Sequence, residues 1–124
     1  MLRTTFTSKL AQIARDTGEP NLMLHIKHAC HRQQAFCFSA DDAVLILRPC
    51  VSAELSYVVV WLAISTSPNG MTRYLPTVRY LTRRMGGRWA EFYTSRKGFI
   101  RIAQRAGFMR MVDEGGLMRF KIPV

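Results

Sequence analysis

"LSYVVVWLAIS", residues 55–65, decides the fold. It is rich in β-branched and aromatic side chains, which suit the pleated, half-buried surface of a sheet. Its apolar run is about half of the roughly 20 residues that a membrane helix needs. No polar residue alternates along its centre, so both faces of the strand are expected to be covered, as in the middle of a sheet. Upstream, "QAFCFSA" (34–40) and "AVLILRPC" (43–50) read as two more strands joined by Asp41 and Asp42, a two-residue link that suits a hairpin. "VSAE" (51–54) turns the chain into the central strand, giving an antiparallel meander.

Downstream the period changes. "STSPNGMT" (65–72) is a loop by composition, and "RYLPTVRYLTRRMGG" (73–87) reads as a helix with Pro76 in its first turn and the Gly86-Gly87 pair as its stop. "RWAEFYTS" (88–95) is a strand with Trp89, Glu91 and Tyr93 on one face. "RKGFIRIAQRAG" (96–107) is a helix with Gly107 past its end, and two strands around an "EGG" turn close the chain. Before the meander, an amphipathic segment near Ser8 to Asp16 and "NLMLHIKHACHR" (21–32), with Asn21 as N-cap, are expected to form two helices. Counting the closing hairpin once, the order is ααβββαβαβ in an α+β domain with a mixed central sheet.

The 124 residues fit a single domain, 1–124, with one core. Its apolar fraction of 48% is that of a folded chain. The N-terminal segment lacks the apolar h-region of a secretory signal, so synthesis and action in the cytoplasm are expected. Cys30, Cys37 and Cys50, odd in number and set among apolar residues, read as reduced thiols. His25, His28, Cys30 and His31 do not follow a standard zinc spacing, and no metal is expected.

The net charge of +10 is unevenly placed: residues 1–72 carry six Lys/Arg against five acids, residues 73–124 twelve against three. Ten of those twelve are arginines, whose planar fork suits phosphate and carboxylate. Lys97, Arg101 and Arg105 recur at i, i+4 and i+8, and Arg79 and Arg83 at i and i+4, which predicts basic stripes able to face an anionic partner such as a nucleic acid. No sequence-reading motif accompanies them.

The final helix, "RKGFIRIAQRAGF", resembles the corresponding stretch of the GNAT N-acetyltransferases, with Ile100, Arg101, Gly107 and Phe108 as the matching residues. The element order fits the same fold from about Ser8 onward. The chain also looks like phage proteins built on this frame, among them an internal virion protein of short-tailed coliphages, through Trp89, Ile100 to Ile102 and Gly107. The departures are as informative. In the family a tyrosine four residues before the glycine protonates the coenzyme A thiolate, and here that position is Ala103. The asparagine at the helix start corresponds to Arg96. The pyrophosphate loop is reduced to Ser67, Asn69, Gly70, Met71 and Thr72, with Pro68 removing one N–H.

The resemblance implies a non-catalytic phage protein, made in the host cytoplasm, that acts in virion assembly or as an internal virion component, works through phage structural proteins and its basic face, and needs no cofactor. It leaves open an acetyl-CoA-dependent N-acetyltransferase, with Glu54 or Glu91 as general base, and a small basic nucleic-acid-binding accessory protein. Oligomerisation is open in all three.

Overall fold

The computed structural model describes residue 15, residues 18–66 and residues 70–124. Three helices, α1 (Leu22–His31), α2 (Gly70–Arg84) and α3 (Phe99–Arg105), accompany six strands. The strands are β1 (Phe36–Ala40), β2 (Ala43–Ser52), β3 (Leu55–Ser65), β4 (Trp89–Thr94), β5 (Met109–Glu114) and β6 (Leu117–Pro123). They form one sheet in the order β1-β2-β3-β4-β6-β5, so β3 is interior as its apolar run requires. All neighbours are antiparallel except β3 and β4, whose connection is α2. This is the expected α+β domain with a mixed central sheet. The expected helix near Ser8 to Asp16 lies, apart from Arg15, outside the described residues.

The two early turns follow from the sequence. Ala40 pairs with Ala43 around Asp41 and Asp42, and Ser52 pairs with Leu55 around Ala53 and Glu54. Both residues of the second turn have positive φ, 50° and 67°, the twist that a two-residue hairpin favours. Asn21 stands at the N-cap of α1, but its side chain makes no capping bond.

Helix α2 differs from the reading of its sequence. It begins at Gly70, six residues before Pro76, which lies inside it. Pro76 removes one helical hydrogen bond and crowds the preceding turn, an arrangement that costs about 3 kcal/mol in a free helix. Tertiary contacts offset that cost. Val78 is buried with Leu45, Ala90 and Ile122, with Leu75 packed against them. Arg73 Nη1 donates to Asp42 at 2.9 Å, and the Tyr74 hydroxyl donates to the same carboxylate. Asp42 also accepts the Thr66 backbone N–H on its carbonyl, at 2.9 Å, so the β1–β2 turn and the start of α2 are tied together.

The core lies on both faces of the sheet. On one face α1 buries Leu22 and Ile26 against Val44, Ile46, Leu62 and Ile64. On the other face α2 covers Leu45 and Ala90, and α3 sets Ala103 against Met118 and Phe120. Phe92 stacks on Phe120 and meets Phe99 and Phe108 edge-on or tilted, with all three centroids near 5 Å. Of the cysteines expected in apolar surroundings, Cys30 packs beside the α1 core but Cys37 is exposed, because edge strand β1 has one open face.

The register of β2 on β3 shifts between Ile46 and Leu47: Ile46 pairs with Leu62, Leu47 with Val60. Trp61 is the extra residue. This bulge exchanges the faces, so Val58 lies on the α2 side while Leu62 and Ile64 lie on the α1 side.

Gly87 closes the turn after α2, and a Cβ there would stand 2.9 Å from Thr82 Cγ2, 3.1 Å from the Thr82 carbonyl and 3.2 Å from Val58 Cγ2. Gly87→Ala is therefore expected to lower stability by about 1–3 kcal/mol. A urea titration should show an earlier midpoint with an unchanged slope.

Candidate active site

Strands β3 and β4 are paired only at Val58–Ala90 and Val59–Glu91, with the Arg88 N–H to Ser56 carbonyl bond, 2.8 Å, just before. Beyond Val59 the two strands part. Among the described residues, no strand pairs with the β4-facing backbone of Val60 to Ile64. A cavity of about 460 Å³ fills this opening. Its walls are β3 from Val60 to Ser65, β4 from Phe92 to Thr94, Tyr74 and Leu75 of α2, and Phe99 and Ile102 of α3. Crevices at the carboxyl ends of diverging parallel strands are the usual ligand sites of such sheets.

A second cavity, about 490 Å³, lies on the α1 side. Glu19, Leu22, His25, Arg48, Val59 and Leu117 line it, together with Val60, Trp61 and Tyr93. Those last three also line the first cavity. The two cavities thus adjoin at these three residues, beside the opening where β3–β4 pairing has ended.

Tyr93 stands at that opening on a polar cluster. Glu91 is 1% exposed, and Arg119 binds it with two bonds, Nη2–Oε1 2.5 Å and Nε–Oε2 3.2 Å. Trp89 Nε1 donates to the same carboxylate at 2.9 Å and the Tyr93 hydroxyl at 3.0 Å. Burial opposes ionisation of Glu91, but the bonds from Arg119, Trp89 and Tyr93 and the charge of Arg119 outweigh it and hold the carboxyl below its usual range. Burial, then the hydrogen bond to Glu91 and its charge, push the Tyr93 phenol well above its usual range. The phenol keeps its proton at physiological pH. Nearby, Trp89 stacks on Tyr57 at 5.0 Å and carries Lys121 Nζ 4.1 Å from its ring centroid.

The structure brings some of the sequence-derived candidates together and separates others. Gly70 and Arg96 line the first cavity. Thr72 is exposed and lines neither cavity, Met71 lies in the first turn of α2, and Ser67 and Asn69 lie outside the described residues. Gly70 is fitted closely, since a Cβ on it would be 2.6 Å from Ser65 Cβ. Glu54 sits exposed in the β2–β3 turn, about 20 Å along the strand from Val60 at 3.3 Å per residue. Glu91 lines neither cavity, and its oxygens already accept four bonds.

Arg79, Arg83, Arg101 and Arg105 are exposed on helices α2 and α3, which share one face of the sheet. Lys97 is exposed in the turn before α3 and is not part of that helix, which is shorter than its sequence suggested. Ala103 is fully buried in the α3 core, and the cavity receives its neighbour Ile102, 43% exposed. Sequence reasoning missed Arg48, Trp61 and Arg119. A lone arginine inside "AVLILRPC" was the available signal for the first.

No family model and no curated protein matches the chain. Three chains of solved structures do, among them these two. One, AtaTR bound with acetyl-CoA, superposes with a TM-score of 0.62 over 85% of this chain and 77% of its own, at 10% identity. The other, a Bacillus subtilis acetyltransferase in complex with CoA, has a TM-score of 0.55 over 79% of this chain and 83% of its own, at 13% identity. The fold is GNAT-like. Within the GNAT-like frame the parted strands and the cavity between them are features of this chain's own geometry.

Removing Arg119 would leave the buried Glu91 charge unpaired, so Arg119→Met is expected to cost about 3–5 kcal/mol, and adding Glu91→Gln should recover part of it. Because the folded Glu91 value lies below its unfolded value of 4.5, its contribution is present above that pH and is lost as pH falls through the folded value. Chemical denaturation of the wild type and Glu91→Gln across pH 3 to 6 should show the wild type losing more stability on the acid side.

Proposed function

We propose that the chain binds an acyl-CoA in the opening between β3 and β4 and acylates an amine held in the α1-side cavity. The observation that carries this reading is that the two cavities, on opposite faces, share Val60, Trp61 and Tyr93. Groups held on the two sides meet there. Both structural neighbours are complexes with acetyl-CoA or CoA.

The residues present suit the cofactor. The β3 edge from Val60 to Ile64, past its last rung with β4, offers N–H and C=O groups to an extended amide-bearing arm, in the manner of an added strand. Phe99, Ile102 and Leu75 give that arm apolar walls. Gly70 lets α2 start against Ser65, and the helix N-terminus and Arg96 favour the anionic end. When bound, an acyl-CoA supplies an activated thioester. Arg119 and Glu91 act as positioning residues, fixing the Tyr93 phenol at the opening in its neutral form.

A second reading is favoured by Ala103. Because that position is packed in the core, α3 places no hydroxyl in the cavity, and the frame would then hold a cofactor without turnover. The chain would act in phage particle assembly through protein contacts, with the arginines of α2 and α3 facing an anionic partner such as a nucleic acid.

Acetyl-CoA at about 100 times its Kd is expected to stabilise the protein by about 2.7 kcal/mol, seen as a higher Tm. Gly70→Ala should reduce that rise. Release of free CoA in the presence of amines would support transfer, whereas stabilisation without release, together with the chain in purified phage particles, would support the second reading. No rise in Tm at millimolar acetyl-CoA would overturn cofactor binding in both.

A further inference from the structure

Arg48 is a charged residue in a strand whose preceding five residues are all buried. Its guanidinium carbon lies 4.8 Å from the centroid of the Trp61 ring, and its buried Nε has no hydrogen-bond partner among the described residues. A buried donor left without a partner costs about 1–3 kcal/mol, more when charged. Glu91 is unavailable, because Arg119, Trp89 and Tyr93 already take both its oxygens. Glu19 lines the same cavity from an exposed position and forms no ion pair with Arg48.

From this we infer that the α1-side cavity takes the acceptor as a free α-amino acid, with its carboxylate on Arg48. This inference rests on the acyl-transfer reading. The planar fork of a guanidinium matches a carboxylate with two parallel bonds. Trp61, which carries Arg48, lines both cavities, so an anion bound there stands beside the opening in the sheet. Only an acceptor whose amine lies within a bond or two of its carboxylate then places that amine at the opening. An α-amino acid meets this condition, whereas the side-chain amine of a lysine within a protein has no such carboxylate. Leu22, Val59 and Leu117 form the remaining wall, which suits an apolar side chain. Glu19 and His25 line the exposed mouth of this cavity, through which the ammonium group sheds one proton to water; an amide C–N bond then replaces the thioester C–S bond, and CoA leaves as the thiol with the second proton of the amine.

The test uses the full chain with L-leucine and L-phenylalanine and their methyl esters, which keep the amine and side chain but remove the negative charge. Free CoA release from acetyl-CoA should be faster with the acids, and kcat/KM should fall about 10- to 100-fold for the esters or for Arg48→Met. Acetyl-CoA affinity should be unchanged in Arg48→Met, and Arg48→Lys should restore only part of the activity. Esters as good as acids, or an unaltered Arg48→Met, would overturn the assignment. Calorimetry of L-leucine and its ester with the protein alone reads the Arg48 site directly. Preference for the acid, lost in Arg48→Met, supports the site even where acetyl-CoA does not bind. Acetyl-CoA binding with no uptake of either amino acid would overturn the site and leave the cofactor reading standing.

Discussion

The parting of β3 and β4 is the constraint on which the rest of the structure depends. Parallel neighbours in the middle of a sheet normally continue side by side, and each lost rung leaves backbone groups to be satisfied elsewhere. Here pairing stops after Val59 and Glu91, and the bulge at Trp61 turns the remaining half of β3 along β2. Helices α2 and α3 then flank an opening instead of a closed surface. The position of α2 across it is fixed from outside by the Asp42 carboxylate, which holds Arg73 and Tyr74.

The polar cluster beneath the opening is a consequence of the same geometry. Strands β4 and β6 remain fully paired, and the pairing of Tyr93 with Arg119 and of Glu91 with Lys121 sets four polar side chains on one face. A carboxylate only 1% exposed in such a place is stable only if its bonds are complete, and Glu91 has them. Its role is then to hold its neighbours still. That distinguishes it from a general base, which needs a free lone pair and a value raised toward neutrality.

Much of the fold was legible because the relevant signals are local. The apolar run of β3, the Asp41-Asp42 link and the Gly86-Gly87 stop each act within a few residues of themselves. Two readings failed where distant contacts overrode local rules. Pro76 looked like a helix start, yet Val78 and the Asp42 ties stabilise the six residues before it as helix. The α3 stripe seemed to include Lys97, but the helix is only seven residues long. The site was less legible than the fold. Glu91 was singled out through the resemblance, as a general-base candidate, and the strand alternation put it on one face with Trp89 and Tyr93, but its partner Arg119 lies 28 residues away and no local pattern joins them. Likewise Arg48 and Trp61 meet only because β2 and β3 are neighbours across a bulge.

The unbroken apolarity of β3 has a further meaning once the bulge is considered. In a strand with alternating polar and apolar residues, one inserted position would send every later polar side chain into the core. In "VVVWLAI" a change of parity exchanges one hydrophobic residue for another. The strand can therefore gain or lose a residue at its middle without reversing inside and outside. A sheet built around such a strand can change where it opens at little cost to its core.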